Sequence, residues 1–302
     1  AWLMMPGIPA LVGMAPSPPA RPIFGYGGEP GPFLEVLEIY PYDLPENVTA
    51  IQGETEEDIE FSIYLSIPLL PEDPGIEGVP LAILFHAFNN PSRDSYTDWI
   101  ERLVGKGMVV AYIQYPTDIR PEGGDDFNPD NSQGTSDWPH HVPRLYSINS
   151  ALNRLNDIIG DDTRGQEIDD VLGNLSIMPE HLYIGGHSLG GAYSINALQM
   201  VQEFSWGSET LVVDTEMAAS RPSQNLWQPD FNELPNHTIV HLVVAEDDMT
   251  VGQCDSAYHQ QLFDLTNQNN SLVIYVPSDK YGFPRMVATP VSYTHLTLPT
   301  KA

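Results

Sequence analysis

The chain has 302 residues and a formal net charge of −29, set by 12 Lys and Arg against 41 Asp and Glu. So acidic a surface repels phosphate backbones and anionic lipid, which argues against a nucleic-acid or membrane-surface partner. The lone cysteine, Cys254, excludes an internal disulfide and a thiolate metal cluster, and no apolar run reaches the roughly 18 residues that cross a bilayer. The length suits one large α/β domain or two small ones. Lysine is confined to Lys106, Lys280 and Lys301, and an acidic, lysine-poor surface suggests a salty or extracellular setting.

Residues 1–30 open with "AWLMMPGIPALVGMAPSPPARP". The stretch reads as the remnant of a signal peptide with a small-residue cleavage region, followed by a Pro-rich linker. A secreted or periplasmic location is expected from it. "FLEVLEIYPYDL" and "DIEFSIYLSIPL" then alternate apolar and polar residues, the pattern of two strands in an antiparallel start to a sheet. "VPLAILFHAF" is nearly continuously apolar, as a fully buried strand requires. "SYTDWIERLVGKG" predicts a helix with Ser95 as its cap, an apolar stripe of Trp99, Ile100, Leu103 and Val104, and Gly107 as its stop. "MVVAYIQYP" predicts another buried strand. Strand, helix, strand in that order implies parallel pairing.

Residues 117–143 form a long acidic segment, expected to be a loop of functional or lid character. "LYSINSALNRLNDII" predicts a helix. "HLYIG" predicts a strand, and "GAYSINALQMVQEF" the helix after it. "ETLVVD" and "TIVHLVVAEDD" predict strands, "SAYHQQLFDLTNQ" a helix and "SLVIYVP" the last strand. This alternation calls for one doubly wound α/β domain spanning residues 31–289.

The chemistry concentrates at Ile184–Leu198, "IGGHSLGGAYSINAL". Gly-x-Ser-x-Gly between a strand and a helix holds a serine on a sharp, strained turn and lifts its oxygen out of the sheet edge. Ser188 is the candidate nucleophile. Gly186 and Gly190 flank it because a side chain at either would collide as backbone segments close in. The N-terminal end of the following helix favours a developing oxyanion. His187 neighbours Ser188, so its side chain is expected to point away from the serine. His86 follows a buried strand and is expected to fix a loop. Neither is the expected base.

On these residues the chain resembles an α/β-hydrolase from about residue 33 to 289. Within that superfamily it is similar to the lid-poor carboxylesterases of the dienelactone-hydrolase, cutinase and polyester-hydrolase types. The resemblance implies a mostly parallel, doubly wound sheet with an antiparallel N-terminal strand pair and no large cap domain. It implies a serine hydrolase that cleaves small or polymeric carboxylic esters and needs no cofactor or metal. It also implies an oxyanion hole of two backbone N–H groups: Leu189, and one in "FHAFNN", with Phe88 ahead of Ala87. Where the family has His-Gly or Pro-Gly this chain has His86-Ala87, which leaves that donor open. The acid would lie in "AEDDMTVG": Asp248 fits the family spacing, with Asp247 and then Glu246 behind it.

The base would follow the last strand, where the histidine is His295. Yet Val291–Thr300, "VSYTHLTLPT", matches the translation of one frame of a widely used sequencing adapter. Residues 290–302 are therefore expected to be an adapter-derived artefact rather than part of the fold. Pro290 would then be a hybrid codon at a position whose first base also fits His, Gln, Leu or Arg. The chain is expected to be a truncated fragment lacking its general base and nearly inactive. Acyl transfer or amide hydrolysis on the same turn, or a non-catalytic binding protein of this fold, are the alternatives.

Weaker signals point less far. "DDFNPDNSQG" has Asp126, Asn128 and Asp130 at the alternate positions of a calcium loop, but Asn131 stands where Gly is needed, so a solvated loop is the expectation. His140 and His141 could line a pocket rim, and Trp227 and Phe231 could border the acyl site.

Overall fold

We describe the chain from a computed structural model, which describes residues 31–44, 48–50, 61–70, 78–88, 90–116, 119–121, 141–160, 176–216, 231–247 and 272–278. Eight strands form the main sheet: β1 Leu34–Pro41, β2 Ser62–Leu69, β3 Gly78–Phe85, β4 Val109–Ile113, β5 Ser176–His187, β6 Thr210–Glu216, β7 Ile239–Ala245 and β8 Leu272–Val276. Their spatial order is β1-β2-β4-β3-β5-β6-β7-β8. β2 runs antiparallel to both β1 and β4, and every other pairing is parallel. The expected architecture is therefore present, with one refinement: a single inverted strand, β2, makes both antiparallel contacts.

Side-chain alternation along the strands sorts the core into two layers. Leu81, Ile83 and Phe85 of β3, Val109, Ala111 and Ile113 of β4, and Leu182 and Ile184 of β5 face one side. There they meet helices α2, His141–Ile159, and α3, Leu189–Glu203. Ala82 and Leu84 of β3 and Val110 and Tyr112 of β4 face the other, where Ile100 and Val104 of helix α1, Thr97–Gly105, cover them. A strand covered on both faces can be apolar at every position, which is why "VVAYI" and "LAILF" were legible as buried strands.

Three local expectations need correction. Ser95 does not cap α1. A 3-10 turn, Arg93–Tyr96, precedes that helix, Ser92 accepts the Asp94 N–H at its start, and Ser95 Oγ instead bonds Asn90 Oδ1 at 2.7 Å. Helix α2 begins at His141, inside the segment read as a loop, because Pro143 falls in the first turn, where its missing N–H would have no helical partner anyway. The same segment contributes a strand, Ile119–Pro121, which pairs antiparallel with Val48–Ala50 in a separate two-stranded ribbon. The remainder of residues 117–143, the N-terminal 30 residues, the helix expected at 256–268 and residues 290–302 lie outside the described residues.

Strand β5 carries an irregularity that lengthens it. Its register with β3 jumps between Pro80↔Met178 and Leu81↔Leu182. Pro179 sits in the jump, where its lack of an N–H costs the ladder nothing. Downstream the pairing is regular through Phe85↔Gly186, which brings the ends of β3 and β5 side by side.

Candidate active site

The turn after β5 has the strain its sequence predicts. Ser188 adopts φ 54°, ψ −116°, and Ser205 is the one other non-glycine residue of positive φ among the described residues. Such a conformation costs on the order of 1–3 kcal/mol and persists where its surroundings hold it. The surroundings here are backbone. A Cβ at Gly186 would lie 2.3 Å from the Gly190 carbonyl oxygen, and one at Gly190 would lie 2.2 Å from Phe85 O and 2.5 Å from His86 O. Both glycines are thus demanded by contact rather than by flexibility. The second contact also fixes the loop after β3 against the first turn of α3.

Ser188 is half-buried, and its side chain makes no capping bond to the helix it begins. The N–H groups of the first turn of a helix have no intrahelical acceptor, so the α3 N-terminus presents donors and a partial positive charge beside Ser188. No acidic residue occupies that turn to offset it. Leu189, the first residue of α3, is buried.

The opposing loop is tightly bonded. Ala87 N–H donates to Tyr96 Oη at 2.7 Å, and Asn90 N–H donates to Ala87 O at 3.3 Å. Tyr115 Oη donates to His86 O. The His86 ring stacks on Tyr115 at 3.8 Å between centroids, with Nε2 2.8 Å from Tyr115 O and Nδ1 2.8 Å from Ala87 O. Ala87 therefore has its N–H committed to the Tyr96 hydroxyl. Phe88 is 48% exposed, and the buried Arg144 guanidinium of α2 lies 5.2 Å from its ring centroid.

Burial lowers the His86 pKa from 6.5 to about 4, against the hydrogen bonds to Ala87 and Tyr115, which raise it. A buried ring bonded to the backbone of residues 87 and 115 is a loop strut, not a mobile base. His187 is buried as well. The His86 shift has a stability consequence. Above pH 6.5 both folded and unfolded states carry a neutral ring. Below it the unfolded chain takes up a proton that the folded state refuses until about pH 4. Stability is expected to fall over that window by on the order of 3 kcal/mol from this group. Urea unfolding at pH 7 and pH 5 checks this: His86→Asn should flatten the loss, and a parallel pH dependence would refute it.

The turn expected to carry the acid follows β7 at the same end of the sheet. Glu246 Oε2 accepts the Ser278 N–H at 2.8 Å, Asp247 accepts the Ser278 hydroxyl, and Glu246 N–H donates to Val276 O at 2.9 Å. Glu246 and Asp247 thus tie the end of β7 to the end of β8. Asp248 lies outside the described residues, as do Pro290, His295, His140, Trp227 and the calcium-like segment, and the side chains of His141 and Phe231 are likewise not described. Among the described residues no three or more His, Cys, Asp or Glu side chains converge as a metal site requires, and no helix is long and apolar enough to cross a membrane.

A titratable pair spans β6 and β7, where Asp214 and His241 are register partners. His241 Nδ1 is 3.8 Å from Asp214 Oδ2, which also accepts the Tyr183 hydroxyl at 2.6 Å. Contact with the carboxylate raises the His241 pKa against the half-burial that lowers it. This contribution is complete below pH 6.5 and is lost as pH rises through the elevated pKa, the reverse of His86. His241→Gln is accordingly expected to destabilise at pH 6 more than at pH 9 in thermal melts. An equal loss at both would show the pair does not titrate.

The loop partners Tyr96 and Tyr115 were not foreseen, since no spacing rule links residues 9 and 29 positions apart to residues 87 and 86.

The strand order, the single inverted strand and the strained serine between two backbone-packed glycines define the α/β-hydrolase fold. No family model and no curated protein matches the chain. Among solved structures it is similar to a candidate dienelactone hydrolase of Klebsiella pneumoniae, at 11% identity and TM-score 0.47, over 82% of this chain and 88% of that one. It is likewise similar to a ferulic acid esterase of the anaerobic fungus Anaeromyces mucronatus, at 14% identity and TM-score 0.46, over 81% and 83%. A third is esterase B of Lactobacillus rhamnosis, at 15% identity and TM-score 0.43, over 78% and 76%.

Proposed function

We propose that the protein is a serine hydrolase that cleaves carboxylic esters through an acyl-enzyme. The observation that carries this reading is the Ser188 backbone, held at φ 54° between glycines whose neighbours are backbone atoms. A strained, half-exposed serine at a helix N-terminus has no evident folding role. In the reaction Ser188 Oγ attacks the ester carbonyl and gives its proton to a general base. The Leu189 and Phe88 amides stabilise the tetrahedral oxyanion, the alcohol leaves with the proton, and water then cleaves the acyl group from Ser188.

Asp248 is assigned as the carboxylate that orients the base. In support, Glu246 and Asp247 are engaged with Ser278. The base is a histidine outside the described residues, and position 290, whose first codon base fits His as well as Gln, Leu, Arg or Pro, is where it is tested. The expected site of action is outside the cytoplasm.

The test compares the full chain with its Pro290→His form. A fluorophosphonate is expected to attach to Ser188, as mapped by peptide mass spectrometry. Pro290→His is expected to raise p-nitrophenyl butyrate hydrolysis at least about a hundredfold, as befits restoring a general base. Absence of Ser188 modification in both chains overturns the hydrolase reading. Modification without a gain from Pro290→His overturns only the placement of the base.

A further inference from the structure

The loop that offers the Phe88 amide is braced by tyrosines from three separate places. Tyr96, at the end of the 3-10 turn, accepts the Ala87 N–H at 2.7 Å. Tyr115, just past β4, donates to His86 O and receives the His86 ring on its own peptide. Tyr112 of β4 donates to Pro91 O at 2.8 Å. Of these contacts, that of Tyr96 is the one made to the Ala87 N–H, one peptide ahead of the plane that carries the Phe88 N–H and that is held through Ala87 O by the Asn90 N–H and His86 Nδ1. It also decides which amide of the loop stays available, because Ala87 would otherwise present a competing N–H.

The Tyr96 hydroxyl is itself held firmly. The residue is 6% exposed, its ring lies 5.5 Å from that of Tyr112, and it occupies the N-cap position of α1. The Ser92 cap and the Ser95–Asn90 hydrogen bond fix the short turn that delivers it. The acceptor oxygen therefore has little freedom, and neither does the peptide bonded to it.

We infer that Tyr96 is a positioning residue for ester hydrolysis: by accepting the Ala87 amide proton it fixes the His86–Ala87 peptide, and with it the Ala87 Cα from which the following peptide aims the Phe88 N–H at the oxyanion. The inference rests on the hydrolase reading above. An oxyanion donor works when it sits about 2.7–3.1 Å from the oxygen of the tetrahedral intermediate. A misplacement on the order of 1 Å costs about a hundredfold in rate. Without the Tyr96 oxygen, the Ala87 N–H lacks its partner and the turn rotates to find another. Substrate binding does not use that hydrogen bond, so the loss falls on the chemical step.

The experiment measures Ser188 modification by a fluorophosphonate and p-nitrophenyl butyrate kinetics, in the full chain and its Pro290→His form. Tyr96→Phe is expected to lower kcat and the modification rate about 10–100-fold, with KM within about twofold and the pH profile unchanged. Tyr96→His, which keeps a ring and an acceptor nitrogen, is expected to recover part of the rate. Tyr42→Phe is the control. It removes an equally buried hydroxyl that donates to Gln114 O at 2.7 Å, and is expected to leave the rate within about twofold. The inference is overturned if Tyr96→Phe keeps the parent rate, or if Tyr42→Phe slows the reaction as much. If Ser188 is modified in no chain, the hydrolase reading fails and takes this inference with it. That outcome differs from rapid modification of Tyr96→Phe, which removes this inference alone.

Discussion

Ser188→Ala is expected to lower ester hydrolysis by about 10⁴-fold or more in the Pro290→His chain, because it removes the atom that bonds to the substrate. Its stability should stay near that of the parent, since alanine inherits the same backbone conformation at φ 54°. Ser188→Gly should be equally inactive but more stable. Glycine adopts positive φ without the Cβ clash, and about 1 kcal/mol should remain after the greater freedom of its unfolded chain is counted. The pair separates chemistry from strain: kinetics report the hydroxyl, and urea midpoints report the backbone. Retention of more than a tenth of the activity by Ser188→Ala would remove Ser188 as the nucleophile. A Ser188→Gly chain no more stable than Ser188→Ala would show that the turn stores no strain.

Gly190→Ala should be damaging in a different way. Its Cβ would lie 2.2 Å from Phe85 O and 2.5 Å from His86 O. Neither oxygen belongs to a flexible side-chain end. Phe85 is the last residue of a central strand, and His86 is bonded to Tyr115 through both its ring and its carbonyl. The substitution must push α3 away from β3 or tear the loop from its tyrosines. Overpacking against backbone costs about 3 kcal/mol or more. In the proposed mechanism the Leu189 and Phe88 amides come from the two sides of that contact, so hydrolysis should fall by about 10²–10³-fold as well. Differential scanning calorimetry and steady-state kinetics on the same preparation check both effects. A variant that melts with the parent would mean the two segments sit further apart than described.

The contrast between these positions explains what could be read from the residues alone. Gly186, Ser188 and Gly190 were legible because the reason for each is local: a strand, a turn and a helix in immediate succession. Strands β3 and β4 were legible because burial on both faces leaves an unbroken apolar run. Helix α2 begins at His141, ahead of "LYSINSALNRLNDII", because a first-turn proline, Pro143, is compatible with a helix. The ribbon of Val48–Ala50 and Ile119–Pro121 was invisible, since three residues are too few to show a period. The resemblance put Phe88 ahead of Ala87, but spacing could not show what the Ala87 N–H bonds. Its partner is a hydroxyl nine residues away whose position depends on how a 3-10 turn enters α1.

Two of the tyrosine supports of the loop, Tyr112 and Tyr115, share one further property. Burial raises the pKa of Tyr112 and of Tyr115 well above the ordinary value of 10.0, so their hydroxyls keep their protons through neutral and mildly alkaline solution. That part of the brace is in that sense deaf to acidity. A rate profile recorded from pH 6 to pH 9 would trace the ionisation of the proposed proton acceptor, undistorted by any ionisation of these two tyrosines.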